Sequence, residues 1–173
     1  MVTFAVEDWF DVRDGMAHLW PAHWEEVALN RDTIKLDPDF DTYDWMARNG
    51  QLHIVVARKA GEVVGYHFTI VKPHLHYKTS LSGLTDIYYI APQYRSGRTP
   101  LRLFEHVEKT LKARGVKMLG GVEYLGVDND GLRIRVDGGE QVLPVGSVVV
   151  CAGQEPRRDL HAALQAARTS PPP

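Results

Sequence analysis

The stretch TDIYYIAPQYRSGRTPLRLFEHVEKTLKARG, residues 85–115, runs from strand to turn to helix, and its reading decides the fold. TDIYYIAP is rich in β-branched and aromatic residues and is stopped by Pro92, so it predicts a strand. A short basic loop, Tyr94-Arg95-Ser96-Gly97-Arg98-Thr99, follows, and Pro100 then suits the first turn of a helix over about Thr99 to Arg114. Leu101, Phe104, Val107 and Leu111 recur at helical spacing as its expected buried stripe. Lys109, Lys112 and Arg114 lie near its negative dipole end, and Gly115 stops it.

Working back from that helix, LHIVVAR and EVVGYHFTIVKP, joined by Lys59-Ala60-Gly61, predict a β-hairpin, with HLHYKTSLSG as the loop before the next strand. Further upstream, Asp8 is placed to cap a helix whose Val12, Met16, Leu19 and Trp20 share a face, and Pro21 restarts the chain toward HWEEVALN. Asp37-Pro38 opens another helix with Phe40, Tyr43 and Ala47 on one side and Asn49-Gly50 as its stop. All four tryptophans, Trp9, Trp20, Trp24 and Trp45, fall in this part, read first as helix-to-sheet packing and second as a substrate pocket.

Beyond Gly120 the helical period disappears. VEYLGVDNDGLRIRVDGGEQVLPVGSVVVCAG is cut by NDG and DGG into short strands, and a last helix over about Arg157 to Ala167 precedes a frayed TSPPP tail. The order predicts an α/β (α+β) fold: a mixed, mostly antiparallel sheet with flanking helices and a short-strand β meander in its C-terminal part. Residues 1–118 form one expected domain, 119–167 a β-rich segment continuing the same sheet, and 168–173 a disordered tail.

With 173 residues, 44% hydrophobic and 24% charged content and a net charge of −2, the composition is that of an ordinary globular chain. No apolar run approaches the roughly 20 residues that cross a bilayer, and MVTFAVEDWF lacks a basic start, so a cytoplasmic location without a membrane partner is expected. A single cysteine, Cys151, excludes an internal disulfide and thiolate metal clusters, and it reads as a packing residue. Charge is unevenly spread: residues 1–48 carry 11 acidic and 4 basic groups, whereas 49–119 carry 4 and 11. The basic middle suits a phosphorylated small molecule, and the acidic first part suits a cationic amine. No stacking or groove-reading motif accompanies the basic excess, so nucleic acid is not an expected partner.

The order strand, Pro92, Arg95 to Thr99 and amphipathic helix resembles the acetyl-CoA loop of GCN5-related N-acetyltransferases, the GNAT superfamily. HWEEVALNRDTIKLDPDFDTYDWM, LHIVVARKAGEVVGYHFTIVKPHLHYKTSL and DIYYIAPQYR resemble its small phage-type members, over about residues 1–118. The resemblance implies acetyl-CoA as co-substrate, a small-molecule or peptide amine as acceptor, and direct attack of the amine on the thioester. It implies that Tyr88, Tyr89 and Ile90 line the pantetheine arm and that Arg95, Ser96, Gly97, Arg98, Thr99 and Leu101 hold the diphosphate. It makes Asp86 the first candidate base, on the same face as Tyr88, the other reading being a turn-capping acceptor; Tyr88 and His76 complete the catalytic candidates. His74 and His76 flank the cleft without partners at metal-ligand spacing, so no metal is expected. Trp20, His23, Glu25 and Glu26 wall the expected acceptor site, with a solvated helix face as the alternative for the two glutamates. Where the family has R-x-x-G-x-G, Arg98 and Pro100 replace glycines, which implies weakened CoA binding.

From about residue 111, LKARGVKMLGGVEYLGVDNDGLRIRV and VVVCAGQEPRRDL resemble the C-terminal nucleotide-binding part of NADPH-dependent 2,4-dienoyl-CoA reductases. Gly120-Gly121 is not the G-x-G-x-x-G that seats a dinucleotide, so neither flavin nor NADPH is expected. The chain thus reads as a fusion whose alternatives to an active acetyltransferase are a CoA- or nucleotide-binding module and a non-catalytic protein. Its oligomeric state does not follow from the sequence.

Overall fold

The computed structural model describes residues 1–75, 78–145 and 148. The chain divides into two compact units, Met1–Met118 and a second beginning at Leu119. His76, Cys151, the helix expected over 157–167 and the tail lie outside the described residues.

The first unit is built on a four-stranded antiparallel meander in the order β1-β2-β3-β4: β1 Thr3–Glu7, β2 Leu52–Lys59, β3 Glu62–Pro73 and β4 Leu81–Ile90. The β2–β3 turn is Ala60-Gly61, both at positive φ (52° and 88°), as a two-residue turn matched to strand twist requires. β1 was not expected. Its five residues are too short to separate by pattern from the helix signal at Asp8, and it is fixed by pairing with β2 over Thr3↔Arg58 to Glu7↔Ile54. β4 begins at Leu81, four residues earlier than its apolar run, because Leu81 to Thr85 pair with the end of β3.

Helices cover both faces. On one lie α1 Trp9–Met16, a 3-10 turn Ala17–Leu19, α2 Trp20–Val27 and α3 Phe40–Arg48; on the other lies α4 Thr99–Ala113. The Asp8 carboxylate caps α1 by accepting from the Phe10 N–H. α3 is capped by Asp39, not Asp37: its carboxylate accepts from the Thr42 N–H (2.9 Å) and hydroxyl (2.6 Å). Trp9, Val12, Met16 and Trp20 pack on Ile54, Val56, Tyr66 and Phe68 to form one core, and Leu103, Val107 and Leu111 pack on Val55, Val71 and Ile90 to form the other. Each fully buried aliphatic or aromatic side chain here contributes about 1.5–3 kcal/mol.

The α4 stripe is shifted from its expected register. Leu103 is buried, whereas Leu101 and Phe104 are 59% and 43% exposed, so the core-facing row runs through Leu103, Val107 and Leu111. Pro100 in the first turn fixes where the helix starts and hence which residues face the sheet.

The second unit holds β5 Glu123–Asp128, β6 Gly131–Val136 and β7 Gly139–Leu143 in a separate three-stranded antiparallel sheet. The expected continuation of the first sheet is therefore not formed among the described residues. Two-residue connections close these strands on one another at less entropic cost than pairing with a distant edge. Arg135 ties the sheet together, bonding Glu123 on β5 and Glu140 on β7, each at 2.6 Å.

Candidate functional site

The site is organised by an irregularity in β4. His67 pairs with Tyr88 and Thr69 with Thr85, so Asp86 and Ile87 together stand against Phe68. Such a bulge breaks the alternation of side chains. Asp86 and Tyr88 consequently do not share a face, contrary to the sequence reading. Asp86 turns toward α3, where its Oδ2 accepts the Tyr43 hydroxyl at 2.7 Å. Tyr88 turns toward α4, its ring stacked with His67 (6.0 Å between centroids) and edge-on to Phe104 (5.3 Å). Asp86 also lies well inside the strand and caps no turn.

Two cavities flank the bulge. One, about 650 Å³, runs between α2 and α4 along β4 and is lined by Tyr88, Tyr89, Ile90, Arg95, Pro100 and Phe104 among others. The second, about 530 Å³, lies under α2, α3 and the segment between them, lined by Trp20, Trp24, Ile34, Leu36, Tyr43 and Met46 among others. His23, Val27, Asp86 and Ile87 line both, so the two spaces meet at these residues.

His23 is 9% exposed, stacks on Tyr89 (5.0 Å, 23°) and places Nδ1 2.8 Å from the Tyr66 hydroxyl. Burial lowers its proton affinity, Glu26 opposes that and Arg95 adds to it. The ring is held neutral at pH 7. Tyr43 and Tyr66 are pushed well above the usual phenol range, chiefly by burial, so both remain O–H donors.

The loop after β4 is tied back to α2. Arg95 makes a bidentate pair with Glu26 (2.6 and 2.5 Å), donates from Nε to the Ile90 carbonyl (2.6 Å) and lies over the Tyr89 ring. Its guanidinium, which the sequence reading assigned to a diphosphate, is paired with a carboxylate. The same pairing holds Glu26 below the usual carboxylate range. Ser96, Gly97 and Arg98 are exposed beyond the cavity end, Thr99 is half-buried, and Arg98 pairs with Glu105 at 3.1 Å. Gly97 sits at φ +64°, a conformation that favours glycine. The first backbone bond of α4 is Arg102 N–H to the Arg98 carbonyl, so Thr99 and Leu101 carry helix-start amides that the helix itself does not satisfy; Pro100 has none.

The other expected site residues separate. Glu25 pairs with Arg31 (2.9 Å) and lines neither cavity, because it stands one residue round the helix from Glu26. Leu101 is exposed outside both cavities. Trp20 is at once a core residue and a wall of the smaller cavity. Tyr43, Tyr66 and Phe104 were missed as site residues: the first two belong to apolar rows that read as core, and Phe104 was assigned to the buried stripe. Among the described residues no group of three histidine, cysteine or acidic side chains is arranged to hold a metal ion.

No protein-family model matches the chain. Solved structures do match it. A GCN5-related N-acetyltransferase from Ralstonia eutropha JMP134 aligns with a TM-score of 0.54 at 18% identity, over 67% of this chain and 79% of that one. A ribosomal-protein-alanine N-acetyltransferase from Brucella melitensis biovar Abortus 2308 gives 0.51 at 16%, over 68% and 76%. A predicted acetyltransferase from Clostridium acetobutylicum, solved with acetyl-CoA, gives 0.50 at 14%, over 68% and 77%. The fold is that of the GCN5-related N-acetyltransferases. Within this acetyltransferase fold, the larger cavity runs between β4 and the start of α4, and the smaller one lies on the α2–α3 side.

Proposed function

We propose that the chain is an acetyl-CoA-dependent N-acetyltransferase acting on a small amine. The observation that carries this reading is the meeting of two cavities at Asp86 and His23, beside a bulged edge strand that leads directly into the loop before α4. A two-substrate transfer needs two spaces that open onto one reacting point.

The residues present fit the cofactor in part. The cavity of about 650 Å³ along β4, an edge strand of its sheet, leaves room for an extended arm beside strand backbone. The unsatisfied amides at the α4 start and the dipole behind them suit a diphosphate, while Pro100 removes one donor and Arg95 is already engaged by Glu26. Weakened binding follows. When bound, acetyl-CoA supplies the thioester. Tyr88, Tyr89 and Ile90 flank the arm, and Ser96 to Thr99 lie where the diphosphate would reach. Asp86, steadied by Tyr43 on Oδ2, accepts the proton of the attacking amine on Oδ1. Tyr88 serves binding instead of proton transfer, since it faces α4.

The likeness to phage-type enzymes, the reductase-like origin of residues 111–167 and a cytoplasmic location belong to the same proposal; the antiparallel β5–β7 meander is what supports a separate origin for the last part. Release of CoA thiol from acetyl-CoA in the presence of a panel of amines tests the activity. Silence across the panel with a CoA-induced rise in Tm would favour the binding-module alternative, and no rise in Tm would reject both.

A further inference from the structure

The smaller cavity specifies its occupant more closely than the larger one. Large apolar side chains supply most of its wall surface: Trp20 and Trp24 of α2, Tyr43 and Met46 of α3, and Ile34 and Leu36 from the segment between those helices. Ile34 is 62% and Leu36 39% exposed, so the outer wall presents two large aliphatic side chains that the fold itself does not bury. Its ionised groups are mostly anionic. Asp86 stands at the inner end, with one carboxylate oxygen taken by Tyr43, and Asp37 and Asp39 line the same space. Among the described residues Lys35 is the one Lys or Arg of the lining. A sugar would have to strip water from many hydroxyls against the large apolar side chains that supply most of the wall. A sugar phosphate would meet three carboxylates. A flat apolar body carrying one ammonium at one end meets complementary chemistry throughout.

Resting on the acetyltransferase reading, we infer that the acceptor is a primary monoamine with an aryl or similarly flat apolar body, which lies between the α2 tryptophans and the Ile34–Leu36 wall with its amine at Asp86. The residues that select it are Trp24, Ile34 and Leu36 for the body and Asp86 for the ammonium. The amine end then lies at the junction where the larger cavity opens.

Binding is read without turnover, from quenching of the Trp20 and Trp24 fluorescence and by calorimetry, using phenethylamine, tryptamine, the neutral phenethyl alcohol, putrescine and glucosamine as probes. Phenethylamine and tryptamine are expected to bind at least tenfold more tightly than putrescine, glucosamine or the alcohol. Asp86→Asn is expected to remove the preference for amine over alcohol. Ile34→Ser and Leu36→Ser, both at exposed positions and so without risk to the core, are expected to weaken aryl-amine binding about threefold to tenfold, since each removes a few buried methylenes. Equal or tighter binding of putrescine or glucosamine, or aryl-amine binding unchanged in both serine variants, would overturn the inference, even if acetyl-CoA is turned over with those amines. Selective aryl-amine binding without any response to CoA would sustain the assigned ligand class and reject the acetyltransferase reading instead.

Discussion

Tyr43 of α3 reaches across to β4 and donates its hydroxyl to Asp86 Oδ2 at 2.7 Å, one residue of the bulge being held by a helix 43 positions earlier in the chain. This bond helps fix the orientation of the carboxylate of a residue that lines both cavities. Tyr43→Phe is expected to lower stability by about 0.5–1.5 kcal/mol, the worth of a partly exposed hydrogen bond. It should raise the acceptor KM while leaving CoA affinity unchanged; equal loss of CoA binding by calorimetry would show a general disruption of the site instead.

Gly65 of β3 separates two kinds of glycine. A Cβ there would stand 2.7 Å from the Tyr89 carbonyl oxygen and 3.1 Å from Ile90 Cα, so β3 and β4 would have to part. Gly65→Ala is expected to cost about 1–3 kcal/mol as an overpacked position, and to widen the larger cavity. Gly97→Ala meets nothing within 4 Å but forces φ +64° on a residue with a side chain, at about 1–2 kcal/mol. Denaturant midpoints should place both below the parent chain, with CoA affinity falling in each.

Much of this arrangement was legible in the sequence and some was not, for identifiable reasons. The β2–β3 hairpin, the Asp8 cap and the helix after Gly97 followed from turn chemistry and period, which are local. The face of Asp86 did not, because a bulge is a property of two strands in register, and TDIYYI alternates as regularly as a strand without one. The partner of Arg95 was equally hidden. Glu26 lies 69 residues away, and only the docking of α2 beside β4 brings the two together. Leu101 and Phe104 were assigned to the core because a 3.6-residue period does not say on which residue the row begins.

Acid should unfold the first unit through its buried histidines. His53 is 2% exposed; since the Thr110 hydroxyl donates to the His106 carbonyl, it accepts from His53 Nε2–H, leaving Nδ1 without a donor. Burial, helped by Arg114, His67 and His106, lowers the His53 pKa to about 4 from the ordinary 6.5. His67 and His23 are lowered in the same direction by burial. An unfolded chain binds protons from about pH 6.5 downward that the native chain refuses, so stability falls as pH drops through this window and the His53 share is gone below about pH 4. Tm measured from pH 7.5 to 4 should decline, and His53→Leu should flatten the curve; an unchanged slope would assign the acid sensitivity elsewhere.

Arg98→Gly with Pro100→Gly adds one backbone donor to the start of α4 and removes a side chain that pairs with Glu105. CoA should bind about tenfold more tightly in the double variant, the worth of one charge-assisted bond. Titration calorimetry checks this, and an unchanged Kd would argue against a cofactor diphosphate at these amides.

The Arg95–Glu26 pair gives the two ends of the groove a common electrical balance. Glu26 and Arg95 pull His23 in opposite directions, one favouring its protonated form and the other opposing it. Any anion arriving at the loop competes with Glu26 for the same guanidinium and partly cancels its charge, which tips that balance toward the carboxylate. An anion bound at this loop is therefore expected to raise the His23 pKa, and an imidazole NMR titration with and without CoA that shows no rise would separate the two groups.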